Sequence, residues 1–207
     1  MVFNPLKWLF PFSAVLILLN IPLSNRLAAQ KTLSTSSVLT GIPTFQVPRL
    51  CRPWLFDSGS LTKRLLEASQ QHFDVRVLQQ YQGKATPEEQ FALNLRARSL
   101  PFVREVELLC FGRPWVFART LIPLSTLTGG AKALTQLGSR PLGAALFNSP
   151  YVSRGAIVVK KIHSSVLPLS EDIEPRWLWG RHSVFYINQA PLLVNEIFLP
   201  GSPLYSQ

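Results

Sequence analysis

The alternation of apolar and polar residues predicts a domain built mainly from strands. Apolar side chains recur at every second position in residues 73–81, 102–111 and 115–122, and this period of two is typical of strands. The second and third of these segments flank Gly112-Arg113, which indicates a hairpin. Residues 156–162 predict another strand, and residues 181–187 and 192–199 predict a last hairpin around 188–191.

Helical patterns are fewer and shorter than the strands. Residues 59–70 carry Leu61, Leu65 and Leu66 at helical spacing. Residues 128–137 and 141–147 predict two more helices, while residues 83–89 are polar, contain a proline and predict a loop. Because hairpins outnumber strand–helix–strand units, the predicted class is α+β, with a mainly antiparallel sheet and helices packed on it.

Residues 1–50 differ from the rest because they contain no acidic residue. Residues 8–25 are uncharged, but prolines shorten the apolar stretch below the roughly 20 residues that a spanning helix needs. A signal peptide fits this length better, although Arg26 falls where a cleavage region is ordinarily neutral. A signal, an anchor and a dispensable extension all stay open, and residues 8–23 leave membrane contact open. Residues 30–50 predict a linker, so the folded domain is predicted at 51–207.

The chain carries a formal charge of +10, four units of which lie in residues 1–50, which leaves +6 for residues 51–207. Such a domain can attract anionic metabolites, acidic membranes or nucleic acid. No zinc-finger spacing or long basic block is present, so no nucleic-acid partner is expected. Cys51 and Cys110 form no CxxC motif and predict no metal site. Cys110 is expected to be a small buried side chain, and a disulfide stays open.

Two charged residues point toward the apolar side of a predicted strand. Alternation places Arg104 with Phe102, Val106 and Leu108, while the glutamates of the same segment face the other way. Glu196 likewise shares a face with Leu192, Val194 and Phe198. A buried lone charge costs several kcal/mol, so each must find a partner.

Two interpretations of these charges stay open at this point. One is a structural ion pair between Glu196 and either Arg104 or Arg119, since both faces around Arg119 are apolar. The other is a closed cavity with a cationic and an acidic end, which would suit a small anion bearing a hydroxyl group at its far end. An acidic side chain on an apolar strand can also donate or accept protons.

The chain resembles the chorismate lyase family, whose members split chorismate into 4-hydroxybenzoate and pyruvate. The resemblance runs in family order over residues 53–205, and no single segment is decisive. The segments that carry it are Gly59–Arg64, Val103–Cys110, Pro114–Thr120, Ile122–Gly129, Leu137–Gly143, Leu146-Phe147, Leu178–Ser183 and Pro191–Tyr205.

The resemblance implies a role for individual residues. Arg104 would bind the ring carboxylate and Glu196 the ring hydroxyl, and both are the implied catalytic residues. Leu142 would contribute a backbone contact, and Leu61 stands where the family's best-known form has methionine. Packing within a helix explains either leucine equally well. Arg119 is a weaker candidate for the second carboxylate or for orienting Glu196.

Two departures from the family pattern concern residues outside this set. His182 stands where arginine is expected, and Gln189-Ala190 stands where a turn glycine is expected. Alternation places His182 opposite Arg181, Ser183 and Phe185, and no Ser-His-Asp arrangement supports a catalytic role for it.

The resemblance further implies a cofactor-free and metal-free elimination, with chorismate as partner, helical flaps over the cavity around Leu61 and Leu142, and a cytoplasmic monomer. The product would enter ubiquinone or plastoquinone synthesis. A ligand-sensing domain related to the effector domains of bacterial regulators is the main alternative, but residues 1–50 do not fit a helix-turn-helix. A membrane-tethered interaction protein is a second alternative.

Overall fold

The computed structural model describes residues 41–147 and 150–205. Within these ranges the strands are β1 Phe73–Gln82, β2 Phe102–Cys110, β3 Arg113–Ile122, β4 Val152–Arg154, β5 Val158–His163, β6 Trp177–Ile187 and β7 Ala190–Phe198. The α-helices are α1 Arg52–Leu55, α2 Leu61–Ala68, α3 Pro87–Ala92 and α4 Leu142–Phe147. Short 3₁₀ segments cover Thr44–Gln46, Gly129–Gln136 and Ser164–Val166.

The seven strands form a single antiparallel sheet in the order β1-β2-β3-β7-β6-β4, and β5 also pairs with β6. The predicted α+β class and mainly antiparallel sheet are therefore confirmed. Directly opposite residues of an antiparallel pair project from the same face. The register sets Glu196 opposite both Ala118 and Arg181, so three neighbouring strands direct these side chains to one side.

The two faces of the sheet carry different residues, as strand alternation predicts. Helices α2 and α4 cover the face that holds Val106, Leu108 and Val194. Phe117 and Ile197 pack on the opposite face. The face assignments predicted for the strands with Arg104 and Glu196 are thus correct, because each core side chain can be buried only in one register.

The predicted loop at residues 83–89 is wrong in its second half, where helix α3 begins. Thr86 accepts a hydrogen bond from the backbone of Glu89, and the Glu89 carboxylate accepts one from the backbone of Thr86. Proline at the next position suits the first turn of a helix. The sequence Thr-Pro-Glu-Glu indicates this capping box, and a capping box predicts a helix start more strongly than the proline predicts a loop.

Both predicted hairpins are present, with turns of two residues. Phe111 and Gly112 have φ of 53° and 74°, and Arg113 already belongs to β3. Asn188 and Gln189 have φ of 47° and 70°. Such turns favour Asn and Gly, so Phe111 and Gln189 are the strained positions, and Gln189 lies in the turn where the resemblance predicts glycine.

Other boundaries differ from the prediction. The segment predicted as a helix at 128–137 is a 3₁₀ segment, and strand β4, only three residues long, was not predicted. Residues 41–50 join the packed structure, since Val47 is buried and Ile42 donates a backbone hydrogen bond to Val159. Across the described residues, no helix has the length and apolarity to cross a membrane. The apolar stretch at 8–23 lies outside them.

Candidate active site

A small cavity lies between the sheet and the two helices α2 and α4. Arg104, Val106 and Leu108 line it from β2, and Val194 and Glu196 line it from β7. Its volume is about 40 Å³. Ordinary ligand pockets hold roughly 300–1,000 Å³, so a substituted six-membered ring enters only if the walls move.

Arg104 is buried at one end of this cavity, and no acidic residue of the described part of the chain pairs with it. Its side chain is 2% exposed, and its Nη2 donates to the carbonyls of Gly138 and Arg140 over 2.8 and 3.2 Å. Nε is buried and makes no hydrogen bond, and none of the acids in the described ranges forms an ion pair with the guanidinium. Burial accordingly lowers the pKa of Arg104 below its usual value. An anion would relieve this uncompensated charge.

Glu196 lines the cavity from β7. Its carboxylate is held by an arginine that the prediction did not include in the site. Arg181 Nε donates to Glu196 Oε2 over 2.6 Å. Arg181 Nη1 also donates to the carbonyls of Trp54 and Asp57, over 3.0 and 2.7 Å. Of the two interpretations left open by the sequence, the ion pair between Glu196 and Arg104 or Arg119 is therefore wrong. Glu196 is instead fixed by Arg181, its cross-strand partner.

Arg154 is a second arginine of this region that the prediction missed. It lies directly opposite Phe185 in the β4–β6 pair, and its guanidinium sits 5.1 Å from the centre of that ring, which lines the cavity. Its Nε donates to the Ser183 hydroxyl over 3.0 Å. Burial lowers the pKa of Arg154, and the Glu196 charge acts in the opposite direction. No periodic signal marks a three-residue strand, so the sequence offered little to find it.

Helices α2 and α4 close the cavity like flaps, and Leu61 and Leu142 are buried in its wall. The helices approach closely at Gly143, where an added Cβ would lie 2.5 Å from the Thr62 hydroxyl oxygen. The Ser60 side chain accepts a hydrogen bond from the backbone of Lys63 and begins α2. The structure thus brings together Leu61, Arg104, Leu142 and Glu196 among the predicted site residues.

Arg119 is the predicted site residue that the structure does not bring to this cavity. It projects from the opposite face of the sheet, where Nε donates to Glu89 over 2.9 Å and Nη1 donates to Glu105. Burial acts to lower the pKa of Arg119, but the hydrogen bonds and charge of these glutamates outweigh it and raise the pKa. Its charge is thus already balanced within the protein, and it is left out of the substrate site proposed below.

His182 also lies on the opposite face, as alternation predicts. Its Nδ1 is 3.3 Å from a Glu88 carboxylate oxygen, without hydrogen-bond geometry. Burial is the main reason that its pKa falls to about 4, and the Lys160 charge adds to this effect. Cys51 and Cys110 are both buried and free. Within the described part of the chain, no group of three or more His, Cys, Asp or Glu residues could hold a metal ion.

Comparison with known proteins identifies the family of this chain. The family model described as chorismate lyase matches residues 42–207. The chain belongs to the chorismate lyase family. Two relatives named probable chorismate pyruvate-lyase illustrate the similarity. The protein from Thiobacillus denitrificans is 42% identical over 165 residues, which cover 76% of this chain and 86% of the relative. The protein from Pseudomonas putida is 41% identical over 150 residues, which cover 72% of this chain and 81% of the relative.

Two solved structures illustrate the likeness in fold. PhnF from Mycobacterium smegmatis matches this chorismate lyase family member with a TM-score of 0.50 at 15% identity, over 69% of this chain and 64% of PhnF. The ligand-binding domain of a GntR-family regulator from Bordetella bronchiseptica matches with a TM-score of 0.47 at 20% identity, over 63% of this chain and 86% of that domain. At these identities the likeness concerns the fold alone.

Proposed function

We propose that this chain converts chorismate to 4-hydroxybenzoate and pyruvate by an elimination. The observation that carries the proposal is Arg104, a guanidinium buried at the end of an apolar cavity with no carboxylate of the described residues to balance it. Such a group binds a planar carboxylate through two parallel hydrogen bonds. Membership of the chorismate lyase family supports the assignment of that carboxylate to the ring of chorismate.

The reaction needs little from the protein beyond orientation and charge. The ring carbon that bears the hydroxyl group loses its proton, the neighbouring carbon–oxygen bond to the enolpyruvyl group breaks, and the electron pair left by the proton completes the aromatic ring. The released enolpyruvate takes up a proton and becomes pyruvate. Because aromatisation drives this step, fixing the substrate in a reactive geometry supplies much of the catalysis.

Glu196 has the position for the remaining chemistry. With the ring carboxylate on Arg104, the ring extends across the cavity toward Glu196, whose carboxylate accepts a hydrogen bond from the ring hydroxyl group. The carboxylate then lies beside the carbon that loses its proton and can accept it. Arg181 holds the carboxylate in the orientation for this role, since its Nε donates to Oε2 over 2.6 Å.

The small volume of the cavity also affects the rate of the proposed reaction. At about 40 Å³ it admits chorismate only when α2 or α4 moves, and the same motion must release the product. Product release therefore limits turnover when chemistry is fast. We place the product at the start of ubiquinone or plastoquinone synthesis, where 4-hydroxybenzoate serves as the aromatic ring precursor.

The test is an assay of the full chain with chorismate and no added metal or cofactor. Formation of 4-hydroxybenzoate is followed by chromatography, and pyruvate is followed by its reduction with lactate dehydrogenase. Equal amounts of both products are expected. Arg104→Gln and Glu196→Gln should each lower kcat/KM by about 100-fold or more, because each removes a charged contact at the reacting ring.

The matched control is Arg113→Gln, which removes an exposed arginine at the hairpin turn, far from the cavity. It should leave kcat/KM unchanged. Folded wild-type protein that forms neither product would overturn the proposed function. Near-normal rates in both cavity variants would overturn the proposed site.

A further inference from the structure

The substrate proposed above carries two carboxylates, and Arg104 accounts for one of them. The second belongs to the enolpyruvyl group, which is attached to the ring carbon next to the hydroxyl. With the hydroxyl at Glu196, this second carboxylate must lie at the Glu196 end of the cavity. A desolvated carboxylate there needs a cationic partner.

The charged side chains at that end have a net charge of +1. Glu196 is surrounded by Arg181 and Arg154, both of which interact with it electrostatically or directly. Asp57 lies close by, but its carboxylate accepts a hydrogen bond from Arg64 over 2.9 Å and is balanced by it. Two arginines therefore face one available glutamate. Together with Arg104 at the far end, the cavity has a surplus of two positive charges, which matches a dianion.

Of the two arginines, Arg181 already binds Glu196 and two backbone carbonyls. Its side chain is 1% exposed, Nε holds Glu196, and Nη1 holds two carbonyls at 3.0 and 2.7 Å. Moving it onto a ligand would leave Glu196 without its partner. Arg119, on the other face of the sheet, is held by Glu89 and Glu105.

Arg154 is held much more loosely. One of its nitrogens, Nη1, contacts the carbonyls of Asp57, Ser58 and Gly59 at 3.4, 3.2 and 3.4 Å. Its two hydrogens cannot satisfy three acceptors, and all three distances exceed the usual 2.9–3.0 Å. Arg154 shares the cavity face with Phe185, and its guanidinium lies over that ring. Because these contacts are long, Nη1 can leave the carbonyls for a carboxylate near Glu196, whose charge already acts on Arg154.

We propose that Arg154 binds the enolpyruvyl carboxylate of the substrate and exchanges its contacts with residues 57–59 for it. This inference rests on the proposed function. It also links binding to the flap, because residues 57–59 lead directly into α2 and are released when Arg154 turns toward the substrate. Arg154 is thereby a specificity residue that distinguishes substrate from product, since 4-hydroxybenzoate has lost the second carboxylate.

The experiment compares ligands with one and two carboxylates in the full chain. Arg154→Gln should raise KM for chorismate about 10- to 100-fold, the usual loss for a charged hydrogen bond. The same variant should bind 4-hydroxybenzoate within about threefold of wild type by calorimetry. Arg104→Gln should weaken both ligands, and Arg113→Gln should weaken neither. Arg154→Lys, which keeps the charge but loses the fork, should give an intermediate KM.

An equal loss of affinity for chorismate and 4-hydroxybenzoate in Arg154→Gln would show that Arg154 only secures the loop, and an unchanged KM would show that it does not bind substrate. Either result overturns the inference. If Arg154→Gln does not fold, Arg154→Lys decides on the same two measurements. If wild type forms no product from chorismate, the proposed function fails. Binding of 3-(carboxymethoxy)benzoate against benzoate, in wild type and variants, then still tests the second carboxylate site by itself.

Discussion

Arg181 joins Glu196 across neighbouring strands, with Nε and Oε2 2.6 Å apart, and the same guanidinium holds the carbonyls of Trp54 and Asp57. One side chain therefore fixes both the carboxylate at the proposed reactive end of the cavity and the chain segment that leads into α2. The side chain of Arg181 is 1% exposed and that of Glu196 is 16% exposed, so water replaces neither partner well.

Replacement of Arg181 by glutamine is expected to impair both stability and activity. Removal of one partner of a buried pair leaves the other charge unbalanced and costs about 3 kcal/mol of unfolding free energy. Denaturant titration measures this loss, and kcat for chorismate should fall about 100-fold because Glu196 is no longer oriented. The double variant Arg181→Gln/Glu196→Gln should recover part of the stability but none of the activity. Wild-type stability and kcat in the single variant would contradict this coupling.

Replacement of the buried Arg104 is expected not to lower stability, in contrast to replacement of Arg181. Its guanidinium is 2% exposed, and among the described residues it bonds only to the carbonyls of Gly138 and Arg140, so no charged partner is lost with it. Arg104→Met should therefore leave the unfolding free energy unchanged or raise it by up to about 2 kcal/mol, while activity is lost.

The control for Arg104→Met is Val106→Ala, two residues along the same face of β2. Val106 is 3% exposed, so removal of its methyl groups should lower the unfolding free energy by about 1–2 kcal/mol. Denaturant titration of both variants gives the comparison. A large loss of stability in Arg104→Met would mean that the guanidinium holds the fold rather than a ligand.

The sequence predicted the positions of Arg104 and Glu196 because strand alternation is strict and local. A side chain's face depends only on its own strand, so each charge could be placed on an apolar face of its strand before any strand pairing was known. The family resemblance then supplied the ligand and the flap residues Leu61 and Leu142.

The partners of these charges could not be predicted in the same way. That Glu196 meets Arg181 rather than Arg104 depends on the register between β6 and β7. That Arg154 reaches the same place depends on β4, whose three residues carry no recognisable period. Pairings between distant segments require the assembled sheet, and here they decide how the acidic end of the cavity is charged.

The close approach of α2 and α4 at Gly143 offers a test of the flaps. An alanine Cβ there would meet the Thr62 oxygen at 2.5 Å and the Thr62 Cβ at 3.2 Å, so the two helices must separate. Gly143→Ala should lower affinity for 4-hydroxybenzoate and the melting temperature together, with a cost of about 1–3 kcal/mol in unfolding free energy. Calorimetry and thermal melting measure the two effects.

The double variant Thr62→Ala/Gly143→Ala removes the nearest obstructing atom and serves as the matched control. It should recover part of the affinity and stability that Gly143→Ala loses. If Gly143→Ala is without effect, or if the double variant is worse than the sum of the single changes, the helices do not depend on this contact.

His182 predicts how stability responds to acid. Its pKa is about 4 in the folded chain, well below the ordinary value of roughly 6.5, chiefly because of burial. Lys160 also lowers the pKa, while Glu88 and Glu89 act to raise it without prevailing. The unfolded chain therefore takes up a proton at His182 between pH 6.5 and 4, whereas the folded chain does not. Its contribution to stability is fully present above pH 6.5 and declines as the pH falls through this window.

The measurement is the unfolding free energy at intervals from pH 7.5 to 4, in wild type and in His182→Gln. Wild type should lose a few kcal/mol at most through this group, and the slope between pH 6.5 and 4 should be shallower in the variant, which cannot titrate there. His72→Gln is the control, because His72 lies exposed ahead of β1. It should leave the wild-type slope in place. Parallel curves for wild type and His182→Gln would show that the buried imidazole does not sense pH in this range.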